Sequence, residues 1–290
     1  MAHRLSDGFT MVEVIVVITI SAVIAGFTAV LIREPLLAYN DVARRRELVV
    51  SAETALERLA RDVRRALPNS LRVSASGRVL EYLDVSEGAR YRSEPDAALT
   101  HPAPADVFEI GPETSFNVLG RLSSLTFTYG TPFPAGTRLA IYPTSTTLWS
   151  DAATSASPGV ITPAATSITP RNDGDEDQLE LSAAHQFSLD SPRKRVFVVT
   201  GPISYVCAPA SGTLRRYWSY SVSSTQPTDP ALAPLVSAAS ANLADRVTSC
   251  SFDYQAGTPQ RGGLLTITLV LTSGSEQVQL LHQIHVENVP

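Results

Sequence analysis

The stretch DGFTMVEVIVVITISAVIAG (residues 7–26) sets one acid, Glu13, inside an apolar run. From residue 9 to residue 32 the run is 24 residues long, and Glu13 is its only charge. Wound as an α-helix rising about 1.5 Å per residue, it spans about 36 Å, against a bilayer hydrocarbon core of about 30 Å. The residues before it, MAHRLSDG, are few and polar. A cleaved secretory signal has a shorter apolar core and ends in small residues at the cut. Here the run is too long and the small residue, Gly8, comes first. A plain anchor fits the length but leaves Glu13 unexplained, because a carboxylate at bilayer depth costs about 3 kcal/mol or more.

Outward from this run, Pro35 removes a backbone donor and clashes with the preceding turn, so a kink is expected near residues 31–35. Helical spacing then resumes. Leu48, Ala52, Ala55, Leu56, Leu59, Val63, Ala66 and Leu67 share one face. Arg44, Arg45, Glu47, Glu53, Glu57, Arg58, Arg61, Arg64 and Arg65 take the other, where a solvated face is the ordinary reading. Pro68 and Asn69 end the pattern, predicting one long helix over about 9–67 whose apolar face packs on a sheet.

Beyond residue 70 the period changes. Short β-branched and aromatic runs alternate with Gly, Pro, Ser and Asp. Strands are predicted at 78–84, 107–110, 122–129, 138–142, 178–181, 195–200, 203–207, 214–222, 246–254, 264–272 and 278–286. LLTITLVLT and VQLLHQIHV, separated by SGSEQ, predict a β-hairpin. The class is therefore α+β, a long N-terminal helix on an antiparallel sheet with an elaborated C-terminal β region. The organisation is a leader at 1–8, a membrane helix at 9–32, the outer half of the long helix at 33–67 and a globular β-rich domain at 68–290. Residues 144–172 are rich in Ser, Thr, Ala and Pro and are expected to form a flexible loop or insertion.

Composition narrows the function. The chain has 290 residues, 44% of them hydrophobic and 18% charged, which suits a packed core. A net charge of -5 speaks against nucleic-acid binding, which calls for a basic face. Five His and two Cys do not assemble a Cys/His zinc cluster in the usual way.

Gly8 followed by Phe9, with Glu13 five residues into the new chain, resembles the processing site of type IV pilins and pseudopilins. The resemblance implies that a membrane aspartyl prepilin peptidase cuts between Gly8 and Phe9 and N-methylates Phe9. It also implies that Glu13 meets the new ammonium of a neighbouring subunit during assembly, an attraction much stronger in a low-dielectric medium than in water. The leader carries Arg4 and Asp7, and Arg33 with 44–46 lies beyond the far end, so orientation rests on this motif rather than on charge counting. RRRELVVSAETALERLARDVRRALPNSLRV, RVFVVTGPISYVCAPASGTLRRYWSY and LLHQIHVENVP are similar to minor pilins of the mannose-sensitive haemagglutinin pilus system, the MshO type. J-type minor pseudopilins of type II secretion share the same plan.

Cys207 and Cys250 fall in strand-like runs. An exported domain meets an oxidising compartment, so one disulfide is expected, with two buried thiols as the alternative. Asp173, Asp175 and Asp177 have the alternating spacing of a calcium loop. Gln178 stands where the turn glycine belongs and Ala184 where the bidentate glutamate belongs, so a solvated acidic turn is preferred and no metal is assigned. His282 and His285 point to opposite faces of a strand and do not share a metal. Tyr217, Trp218 and Tyr220 read as packing residues before they read as a recognition surface. No G-x-S-x-G, P-loop or G-x-G-x-x-G occurs, and no enzyme activity or cofactor is expected.

The sequence thus leads to a minor pilin or pseudopilin, held in the inner membrane by one span with its C-terminal domain in the periplasm and then taken into a fibre. The partners implied are prepilin peptidase, other minor and major pilins through the N-terminal helix, and the inner-membrane assembly platform. A bulky C-terminal domain suits an initiation or tip complex better than the repeating subunit. The rival readings are a tip-displayed adhesin and an anchored periplasmic enzyme.

Overall fold

A computed structural model describes residues 10–95, 107–144, 146–257 and 262–288. Helix α1 (Met11–Val63) opens on Thr10, whose hydroxyl accepts the Glu13 amide at 3.3 Å. It runs unbroken through Pro35. The helix closes four residues before the predicted limit because the chain is captured by the sheet. The Leu67 amide donates to the Leu83 carbonyl at 2.8 Å, and Ala66 bridges Asp84. Asn69, in the left-handed region at φ 62°, then turns the backbone.

Among the described residues twelve strands and a short α-helix follow: β1 (Arg72–Val73), β2 (Val79–Arg90), β3 (Pro112–Val118), β4 (Arg138–Ile141), α2 (Leu148–Thr154), β5 (Ile168–Asp173), β6 (Glu176–Gln186), β7 (Arg195–Ala208), β8 (Thr213–Trp218), β9 (Ala239–Asp245), β10 (Val247–Gln255), β11 (Gly263–Ser273) and β12 (Glu276–Val286). The largest sheet has the order β1-β2-β7-β8-β9, with β4 also on β7. Two three-stranded sheets have the orders β10-β11-β12 and β3-β6-β5. Every pairing between these strands is antiparallel, as the α+β reading requires.

β7 explains the layout. Residues 196–199 pair with β4 and residues 204–208 with β8, while β2 runs along the other side. Gly201, at φ 135°, allows the change of direction between the two halves. Gly201-Pro202 reads as a strand break in the sequence, yet the two predicted strands are one.

Two main cores result. In the first, Leu48, Ala52, Ala55, Leu56, Leu59 and Val63 of α1 are buried against β2, β7, β8, β10, β11 and β12. This is the face the helical spacing selects, and burying each large aliphatic side chain contributes about 2 kcal/mol. The second core lies away from α1, where Phe108, Phe116, Phe187 and Tyr91 pack together with β4, β5, β6 and the first half of β7.

Residues 144–172 differ from expectation. They hold α2 and most of β5, and bury Leu148, Ala152, Val160, Ile161 and Ile168. The few large aliphatic side chains in a Ser/Thr/Pro-rich sequence point inward, mostly into a small core with Leu67, Leu83 and Val199. Residues 107–110 and 122–129 form no strand, whereas β3, β5 and β9 do.

Candidate functional site

The apolar part of α1, Met11–Arg33, is 23 residues long with mean hydropathy 2.7 and is exposed throughout. It is long and apolar enough to cross a membrane. Its two threonine hydroxyls are satisfied by the helix itself: Thr19 donates to Ile15 O and Thr28 to Ile24 O, at 3.0 and 2.8 Å. Glu13 sits in the first turn, exposed among Met11, Val12 and Val14. Gly8 and Phe9, the predicted cleavage site, lie outside the described residues.

Helix α1 is an extension of the folded domain rather than a tether. Leu48 is the first buried residue among its described side chains, and the last turns are fixed to the sheet by charge as well as by packing. Asp62 accepts from Tyr205 Oη and Arg216 Nε, each at 2.7 Å, and pairs with Arg58 at 3.2 Å. Arg65 reaches Asp84 at 2.8 Å, and Thr200 donates to the same carboxylate at 3.1 Å. Burial raises the Asp84 carboxyl, with the Arg65 charge opposing. Burial also raises the Tyr205 phenol, reinforced by its bond to Asp62. The sequence signal for this lock was an acid on the wrong face: Asp62 lies three residues after Leu59, on the buried side of the helix.

Cys207 of β7 and Cys250 of β10 are disulfide-bonded, with Cα atoms 6.2 Å apart, and tie the large sheet to the β10-β11-β12 sheet. The predicted pairing is present.

The acidic hairpin between β5 and β6 is not simply solvated. Asp173 accepts from Asn117 Nδ2 at 2.7 Å, and Glu176 pairs with Arg92. Asp177 is fully buried and accepts from Arg121, Tyr129 and the Leu122 amide at 2.7–2.8 Å. Asp175 is exposed. Among the described residues no group of three or more His, Cys, Asp or Glu is placed to hold a metal.

His282 is half-buried and His285 exposed, on opposite faces of β12. Tyr217 is buried, and Tyr220 Oη bonds Ser204 and Glu81 at 2.6 and 2.9 Å, so both serve packing. Glu81 also receives Arg72 at 2.7 Å, in a second buried polar cluster that the sequence did not announce.

Residues 4–29 match the family described as the prokaryotic N-terminal methylation motif, a span that includes Gly8, Phe9 and Glu13. No curated protein and no solved structure matches the chain.

Proposed function

We propose that this chain, type IV pilin-like in its prepilin motif, is a minor pilin or pseudopilin that helps to initiate or cap a fibre. The observation that carries the reading is continuity. The methylation motif runs directly into an exposed apolar helix with one acid near its start, and that helix is rooted in a β-rich domain. The precursor is held in the inner membrane with the β-rich domain in the periplasm. Prepilin peptidase cuts between Gly8 and Phe9 and methylates Phe9, and α1 then leaves the bilayer for the fibre.

The costs of the parts favour assembly. Glu13 is expensive alone in lipid and neutralised beside a neighbour's ammonium, which drives subunits together. The second core, remote from α1, adds bulk that suits a few copies at one end of a fibre better than a dense repeat. We assign the chain no catalytic role. We assign it to the mannose-sensitive haemagglutinin pilus system, as an MshO-type minor pilin, on the similarity of the helix end and of the last third.

Mass spectrometry of the N-terminus, with and without prepilin peptidase, tests the reading. A mature chain starting at N-methylated Phe9 is expected only when the peptidase is present. An intact N-terminus in its presence overturns the proposal.

A further inference from the structure

The six-stranded sheet ends on β9, whose outer edge pairs with no strand among the described residues. Such an edge is a template for another chain, and proteins guard edges with short strands, Lys or Pro. The opposite edge is guarded, since β1 has two residues. β9 has seven, ASANLAD, with neither Lys nor Pro; a bulge at Leu243 breaks its register with β8, and residues 239–242 before the bulge pair regularly and are all exposed. The edge of β12 is unpaired too among the described residues, but α1 packs against that strand more extensively than against β9.

A groove runs beside β9 with α1 as its other wall. Tyr39, Arg46, Val50, Thr54 and Arg61 follow one helical stripe, and Leu243 of β9 faces them. The membrane-proximal part holds about 620 Å³ and the distal part about 410 Å³. The proximal part exposes apolar surface, with Tyr39 70% and Val50 53% exposed, and is flanked by Arg46 and by Glu47, whose charge is met by Arg246 at 3.2 Å. The distal part is basic. There Arg58 and Arg216 share Asp62, but Arg61, like Arg46 in the proximal part, has no ion pair among the described residues.

We propose that β9 and this groove receive an extended, acidic strand from a different membrane-anchored subunit. The added strand pairs with the free edge of β9, placing apolar side chains on Val50 and Leu243 and carboxylates on Arg46 and Arg61. Only an extended backbone meets the row of amides and carbonyls on a sheet edge, which excludes a helix as the edge partner. The unmatched arginines select negative charge. Tyr39 follows Arg33, the end of the apolar span, by about 9 Å of helix, so a partner held in the same bilayer presents its domain at this height. Among the described residues a second copy offers no acidic edge strand, because β3, β5, β9, β10 and β12 carry one acid each.

The inference rests on the fibre-subunit reading, and one experiment separates the two. A photo-crosslinking residue replaces Ala241 in the full-length chain, in cells that make the fibre, and the product is mapped to residue level by mass spectrometry. The expected product joins position 241 to a strand of another membrane-anchored subunit. Its yield falls about fivefold when Arg46→Glu and Arg61→Glu are combined, and is unchanged by Arg64→Glu, an exposed arginine outside the groove. Formation of the Cys207–Cys250 bond in each variant reports folding. No product, a product with lipid, with a helix or with a second copy, or a yield indifferent to the charge reversal overturns the inference. The N-terminal mass of the same sample reports processing. A chain processed at Phe9 but lacking the strand crosslink loses this inference alone, whereas an unprocessed chain loses the functional reading.

Discussion

Asp62 of α1 and Arg216 of β8 meet at 2.7 Å, with the Tyr205 hydroxyl on the same carboxylate oxygen. This contact joins the helix that enters the membrane to the centre of the large sheet. A pull on the N-terminal half of α1 therefore reaches the β-rich domain through a rigid connection rather than a hinge. The carboxylate is nearly buried, with about one tenth of its side chain exposed. Removing it leaves Arg216 and Tyr205 facing an empty position.

Asp62→Ala is accordingly expected to lower the unfolding free energy by about 3 kcal/mol, the usual cost of breaking a buried ion pair from one side. Arg64→Ala, on the exposed face, is expected to change it by less than about 0.5 kcal/mol. Thermal unfolding of the detergent-solubilised full chain checks both. Equal melting temperatures for the two variants would remove the lock from the account.

Glu13 has the opposite profile. It touches nothing in the folded domain and lies far along α1 from Leu48, the first buried residue among the described side chains. Glu13→Ala is expected to leave thermal stability and the disulfide unchanged while the protein disappears from sheared fibres. Glu13→Asp is expected to restore part of the incorporation, since the charge remains. Normal fibre entry by the alanine variant would show that the acid has no part in assembly.

The Cys207–Cys250 bond closes a loop of 43 residues' separation between two sheets. By the chain-entropy estimate it stabilises by about 4 kcal/mol. Replacing both cysteines by serine, or reducing the wild type, is expected to lower the melting temperature by a similar amount in each case. A smaller drop on reduction than on replacement would mean that the serines, rather than the lost crosslink, destabilise the core.

Helix α1 was legible because a 3.6-residue period repeats from Leu48 to Val63 and because one side of it is buried without exception. The β11–β12 hairpin was legible for the same kind of reason. Leu265, Ile267, Leu269 and Leu271 alternate inward across an ungapped register, although the turn is only Gly274 and Ser275. β9 was invisible because an edge strand with one buried residue has no alternation to show. The fold of 144–172 was hidden by composition: Leu148, Val160 and Ile161 are too widely spaced to form a periodic pattern, and their burial depends on Leu67 and Leu83 far away in sequence. At the candidate site, the motif around Gly8 and Glu13 was local and therefore readable. The partners of Asp62 were not, since Tyr205 and Arg216 reach it only through the sheet topology.

His185 gives the molecule a dependence on acid that none of these features predicts. The imidazole is fully buried in the second core, edge-on to Phe187 with ring centres 4.6 Å apart. Its cross-strand neighbour Glu113 accepts the Glu109 amide at 2.8 Å. Burial pushes the His185 pKa below its ordinary 6.5, with a backbone contact from Gly159 opposing. Below about pH 6.5 the unfolded chain takes up a proton that the native chain refuses, so the unfolded state binds more protons and stability falls as pH falls. Above that value both states are neutral and the contribution is flat. The slope for one group is at most about 1.4 kcal/mol per pH unit. His185→Phe, which suits an aromatic core, is expected to flatten the melting temperature between about pH 6.5 and 5 while leaving the remaining carboxylate-driven loss at lower pH. Chemical or thermal unfolding of the full chain across this range decides the matter: a variant whose acid sensitivity matches the wild type would place the titrating group elsewhere.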